Sequence, residues 1–243
     1  MDNENVSPQP EVVDNLPVSK LQKMAQERIA LISKEFMNGY NFIEDYPKSV
    51  TIFGGSHFKE NSPYYHKARE LAGRIAKELE YAVFTGGGPG LMEAANRGAY
   101  EAGGQSLGLT IELVHEQPQN KYLTKKLNFY YFFSRKVCMS FSAEAYIFFP
   151  GGFGTLDEFF EIVTLVQTDK IEPLPIILIG SDFWEPFNDF LRNELLSRGT
   201  VEKKDLQLYI ITDDLDEVID LIRQAPVRNG VVFRYKEPSA GID

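Results

Sequence analysis

Two hydrophobic rhythms alternate along this chain from residue 49 onward. Short, nearly continuous apolar runs occur at "SVTIFGG" (49–55), "YAVFTGGG" (81–88), "SLGLTIEL" (106–113), "AYIFFPGG" (145–152), "PIILIG" (175–180) and "LYIITDD" (208–214). Between them lie helical patterns, over roughly 63–79, 90–103, 134–143, 155–168, 182–197 and 214–224. Apolar strands that alternate with helices predict a doubly wound, mostly parallel sheet with helices on both faces, a Rossmann-like α/β fold. Upstream, Leu21, Met24, Ala25, Ile29, Ile32 and Phe36 recur at helical spacing and predict an amphipathic helix over 19–40. Its apolar face is suited either to cover the core or to meet another subunit. No linker divides the pattern. The expectation is a flexible arm over 1–18, rich in Pro, Asn and acids, one domain over 19–225, and an irregular tail over 226–243.

Three predicted strands end in glycine: Gly54-Gly55, Gly86-Gly87-Gly88 and Gly151-Gly152-Phe153-Gly154. In a parallel sheet those ends share one edge, where doubly wound folds bind their ligands. Glycine permits close backbone approach, and the free N–H groups of the helix that follows attract anions. "TGGGPGLMEAANRGA" (85–99) runs from a strand through Gly86, Gly87, Gly88 and Gly90 into a helix. It fails the dinucleotide fingerprint, because Leu91 stands where the third glycine belongs, and no Gly-Lys-Ser/Thr marks a Walker loop. As structure alone, it is a tight strand–helix connection.

"PGGFGTLDE" (150–158) repeats the device and adds acids. Thr155 is placed to cap the new helix, and with Glu158 three residues on it matches a capping box. The same helix start suits a phosphate, and two such turns side by side suggest a phosphorylated ligand. Arg135 and Lys136 begin the helix feeding this strand. The plain reading is a solvated basic pair; beside two anion-seeking turns, Arg135 is a candidate partner for phosphate or for Glu158. The aromatics of 129–133 read as core rather than as a base-stacking surface. Ser56 belongs to the first strand-end turn.

Composition narrows the ligand. A net charge of −10 argues against a nucleic-acid partner, which would need clustered Lys and Arg, but leaves room for a small anion in a local site. Cys138 is the single cysteine, so no internal disulfide is possible. Neither a signal peptide nor a bilayer-length apolar run is present, which predicts a cytoplasmic protein. His57, His66 and His115 lack metal-ligand spacing, and "GGSHF" (54–58) misses a nucleophile elbow because Phe58 replaces its last glycine. Neither a metal nor a cofactor is expected.

"GGGPGLMEAANRGA", "SRK" and "PGGFGTLDE" together resemble the LOG family of cytokinin-activating phosphoribohydrolases, older members of which carried the label "lysine decarboxylase". The resemblance covers about residues 48–224 and is closest to the longer bacterial members, which have an extra N-terminal helix. It implies hydrolysis of a nucleoside 5′-monophosphate, AMP or an N6-modified AMP, to free base and ribose 5-phosphate. It implies Arg135 and Glu158 as the catalytic pair. Glu112, Lys136, Gly151, Gly152, Phe153, Gly154, Thr155, Leu156 and Thr164 match nucleotide-binding positions, and the Gly86–Gly90 turn would hold phosphate or shape the pocket. Arg135 would keep Glu158 ionised. The resemblance also implies a homodimer or a multiple of one, since the family's sites are commonly completed between subunits. The competing reading is a non-catalytic carrier of a nucleotide or pterin-type cofactor, because relatives of this fold serve that role. The glycine turns suit a carrier equally well, whereas Glu158 would then have no task.

Overall fold

The computed structural model of the protein describes residues 18–112 and 118–227. Almost all of the expected arm, His115 and almost all of the expected tail therefore lie outside the described residues. Seven strands form one sheet, in the order β4-β3-β2-β1-β5-β6-β7. They are β1 (Ser49–Phe53), β2 (Ala82–Thr85), β3 (Ser106–Ile111), β4 (Lys125–Phe129), β5 (Ala145–Phe148), β6 (Ile176–Leu178) and β7 (Ile210–Ile211). Every pairing is parallel. The helices are α1 (Val18–Glu44), α2 (Pro63–Arg74), α3 (Leu91–Glu101), α4 (Phe132–Ser140), α5 (Phe153–Gln167), α6 (Ser181–Phe190) and α7 (Leu215–Gln224), with π-helical turns extending α2 and α6.

Because successive strand residues point to opposite faces, each buried strand feeds two cores. Val50, Ile52, Val83, Ile147 and Ile177 face α2, α3 and α7. Phe53, Phe84, Tyr146, Phe148 and Leu178 face the side covered by α1, α4, α5 and α6. This explains why the strands read as continuous apolar runs. Gly98 lets α2 and α3 approach closely: a Cβ there would collide with the carbonyl oxygen of Arg69.

Strand β4 was not foreseen. Its sequence, Lys-Lys-Leu-Asn-Phe, is mostly exposed at the sheet edge, so it carries little apolar signal. The backbone ladder to β3, from Leu107–Lys125 to Ile111–Phe129, holds it. Helix α5 also begins earlier than expected. Gly152 takes the cap position in extended conformation, the helix starts at Phe153, and no side chain caps it. Thr155 is thus inside the first turn, and the capping box with Glu158 does not form. Its hydroxyl instead lies against Gly151, where a Cβ would clash with it.

No helix among the described residues is long and apolar enough to cross a membrane.

Candidate active site

The sheet order reverses between β1 and β5, and doubly wound folds place ligands at this switch point. The glycine turns meet there and are hydrogen-bonded together: Gly55 N–H donates to the Pro150 carbonyl (3.0 Å) and Leu91 N–H to the Gly55 carbonyl (3.0 Å). Gly90, with a φ of 71°, lies so close to Gly55 and Ser56 that no side chain fits. A buried amide network braces the middle turn. Asn96 accepts from Thr85 Oγ1 (2.6 Å) and from Asn120 Nδ2 (2.9 Å), and Asn120 Nδ2 also reaches the Gly88 carbonyl (3.0 Å).

Between the turns lies a cavity of about 300 Å³. Of the residues singled out in the sequence, Gly55, Ser56, Gly86, Arg135, Gly152, Gly154, Thr155 and Glu158 line it. His57, Met92, Phe132 and Asp157 also line it, with Phe53 and Gly54. His57 follows Ser56 directly and was legible as part of the same strand-end turn. Phe132 stands one helical turn before Arg135 on α4 and shares its face. The expectation that the aromatics of 129–133 are core is corrected: Phe129 is buried, but Tyr130, Phe132 and Phe133 are 45–65% exposed, lying at the sheet edge and the start of α4.

The remaining expected residues stand elsewhere. Gly87 (φ 72°) turns toward β3, where a Cβ would meet the Thr110 methyl at 2.6 Å, and Gly88 engages Asn120. Gly151 supports Thr155 from behind. Phe153 is 93% exposed, Leu156 packs on the core, and Thr164 and Glu112 are exposed outside the cavity. Lys136 is held along α5 by Asp157 (2.8 Å) and Glu161 (3.1 Å).

Two groups dominate the cavity electrostatically. Glu158 is 7% exposed, and its buried Oε2 has no hydrogen-bond partner among the described residues. An orphaned, buried carboxylate oxygen is costly and calls for a functional account. Burial raises the Glu158 carboxyl to about 7; Arg135 and then Lys136 oppose the rise without overcoming it. The expectation that Arg135 keeps Glu158 fully ionised is therefore corrected: desolvation exceeds the pull of the cation. No ion pair joins the two. Arg135 donates Nε–H to the Leu109 carbonyl (2.8 Å), while a terminal nitrogen fills the space left by Gly86, where a Cβ would stand 2.6 Å away. A carboxyl balanced near neutrality can exchange a proton with a substrate or water, and an arginine beside it supplies a fixed positive charge.

A larger hollow, about 590 Å³, lies on the outer faces of α2 and α3. Among its charged residues, Arg69 pairs with Glu101, and Arg74 with Glu78 and with Asp216 nearby. None of its charged residues is buried, unlike Glu158 in the smaller cavity.

Fold and cavity together define a Rossmann-like α/β protein with a candidate ligand cavity at the sheet's switch point. A family model described as "Possible lysine decarboxylase" matches residues 92–222, more than half of the sequence. The chain belongs to this family, the LOG family. It is 26% identical over 179 residues to the cytokinin riboside 5′-monophosphate phosphoribohydrolase of Rhodococcoides fascians, covering 73% of this chain and 90% of that protein. With the enzyme of the same name, LOG5, from Arabidopsis thaliana it shares 24% identity over 191 residues, 78% of this chain and 83% of that one. Among solved structures, the molybdenum cofactor carrier protein of Chlamydomonas reinhardtii superposes with a TM-score of 0.54 at 22% identity, over 73% of this chain and 97% of that one. That likeness concerns the fold.

Proposed function

We propose that the protein hydrolyses the N-glycosidic bond of a purine nucleoside 5′-monophosphate, AMP or an N6-modified AMP, releasing free base and ribose 5-phosphate. The observation that carries this reading is Glu158, a buried carboxyl with one oxygen unpartnered among the described residues, in the lining of a cavity it shares with Arg135. The names of the curated relatives support the same substrate class.

Breaking the bond from C1′ to the base builds positive charge on the ribose ring, as in other glycoside hydrolyses. Ionised Glu158 stabilises that charge and takes a proton from the attacking water. The water oxygen bonds to C1′, and the electron pair of the broken bond leaves with the base, which gains a proton. With its carboxyl near 7, Glu158 is available in both forms at neutral pH. The bare backbone of Gly152 and Gly154 at the start of α5 suits the 5′-phosphate. Arg135 fixes the anion and orients the sugar. Binding the remote phosphate supplies energy for orientation at the reacting bond. Lys136 joins this site only by exchanging Asp157 and Glu161 for substrate.

A carrier of a nucleotide or pterin-type cofactor would use the glycine turns but give the orphaned Glu158 oxygen no task. The deciding experiment offers AMP and isopentenyl-AMP separately and follows base and ribose 5-phosphate by chromatography. Release from either supports the hydrolase and ranks the bases. Tight binding of nucleotide or pterin without any release replaces it with the carrier.

The same reading includes a homodimer or a multiple of one. Leu21, Met24, Ile29 and Leu31 on the first half of α1 are 50–61% exposed, and Tyr130, Phe132 and Phe133 are open to solvent near its second half. A second copy would cover these side chains. Light scattering after size exclusion is expected to return at least twice the chain mass; a stable, active monomer would rule this out.

A further inference from the structure

Helix α1 lies outside the residues matched by the family model, yet it touches the helix that carries Arg135 at successive levels. Arg28 sits over the Tyr131 ring, 5.5 Å from its centroid. Phe36 meets Phe133 (6.4 Å between ring centroids), and Gly39 lies against Cys138, leaving no room for a Cβ. Between these contacts stands Glu35. One oxygen of its carboxylate accepts Tyr130 N–H (2.6 Å); the other accepts Tyr131 N–H (3.3 Å) and the Ser134 hydroxyl.

The N-terminus of α4 has no side-chain cap of its own: Tyr131 takes the cap position in extended conformation. The first N–H groups of a helix need acceptors, and a carboxylate also complements the positive end of the helix dipole. From another helix, 95 residues upstream of Tyr130, Glu35 accepts the N–H groups of Tyr130 and of the cap residue Tyr131 and sets its carboxylate at the positive end of the α4 dipole. Ser134, which it grips, is fully buried and immediately precedes Arg135. Phe132 and Arg135, which line the cavity, are both on the first turn and a half of α4.

We infer that Glu35 is a positioning residue: its carboxylate clamps the start of α4 and so fixes Arg135 and Phe132 in the cavity. Through this clamp, α1 is part of the site's support. The effect on turnover rests on the hydrolase reading above; the clamp itself does not.

The test compares Glu35→Ala and Glu35→Gln with the unaltered chain by three readouts. Hydrogen exchange over residues 130–136 reports the clamp without any chemistry. It is expected to quicken in Glu35→Ala and to stay near the original in Glu35→Gln, whose amide oxygen still accepts one N–H. With nucleotide, kcat/KM is expected to fall roughly 10- to 100-fold in Glu35→Ala, as small misplacements of catalytic groups do, and to recover largely in Glu35→Gln. The acid limb of the pH–rate profile is expected to move upward in Glu35→Ala. Glu158 faces Arg135 and Lys136 from α4 and Asp157 and Glu161 from α5, and only the two cations move with the clamp. A purely structural Glu35 would lower the melting temperature while leaving the limb in place and the two variants alike; that result overturns the inference, as does unchanged exchange. If the unaltered chain releases no base from any monophosphate, the hydrolase reading fails, and exchange alone decides the clamp.

Discussion

Glu158→Gln is expected to lower base release roughly 10²–10⁴-fold, the usual contribution of a positioned general base, while making the protein more stable at pH 8. Both effects come from one carboxyl. Glutamine keeps the shape and the polar oxygen but can neither take a proton nor carry the negative charge that stabilises the sugar cation. For stability, the sign follows from the folded value of about 7 against an ordinary 4.5. An acid held above its unfolded value favours the folded state fully below about 4.5 and loses that advantage as pH rises to about 7. Above 7 the folded protein holds a buried carboxylate whose ionisation costs up to about 3 kcal/mol more than in the unfolded chain. Glutamine has no such penalty but leaves buried amide hydrogens to satisfy, which reduces the net gain to about 1–2 kcal/mol. Thermal melts at pH 5 and pH 8 should show the variant's advantage growing with pH. An advantage equal at both values would refute the assignment of Glu158 as the buried, raised carboxyl.

Trp184→Ala is expected to cost about 3–5 kcal/mol, the range for truncating a large buried aromatic. For a chain of this size that is a fall in melting temperature of roughly 6–20 °C. Trp184, on the first turn of α6, is fully buried, with its ring 5.6 Å from Phe159, 5.0 Å from Phe183 and 5.7 Å from Phe187 between centroids. Phe159 directly follows Glu158 on α5, so this cluster also holds α5 against the sheet. The indole N–H has no partner among the described residues. Trp184→Phe, which keeps a ring and removes that N–H, should therefore lose far less than alanine. Calorimetry distinguishes the two; equal losses would mean that the aromatic packing is not what Trp184 contributes.

The chain's local pattern determined the alternating strands and helices, the parallel sheet, the N-terminal helix and the three glycine turns at one sheet edge. These follow from hydrophobic period and glycine placement, which act over a few residues and are written directly in the sequence. That Arg135 and Glu158 line one cavity was also legible, through the family's motifs rather than through geometry. Strand β4 was not, because an exposed edge strand is held by backbone hydrogen bonds that leave no apolar trace. Nor was the start of α5: Gly152 takes the cap position in extended conformation with no side-chain cap, and Thr155 sets its hydroxyl against Gly151. Tertiary structure alone decided that Lys136 turns to Asp157 and Glu161, that Phe153 and Thr164 stay outside the cavity, and that Glu35 reaches across to α4. It also decided the state of Glu158, since desolvation depends on everything packed around a carboxyl, while the sequence shows only which charges are near it along the chain.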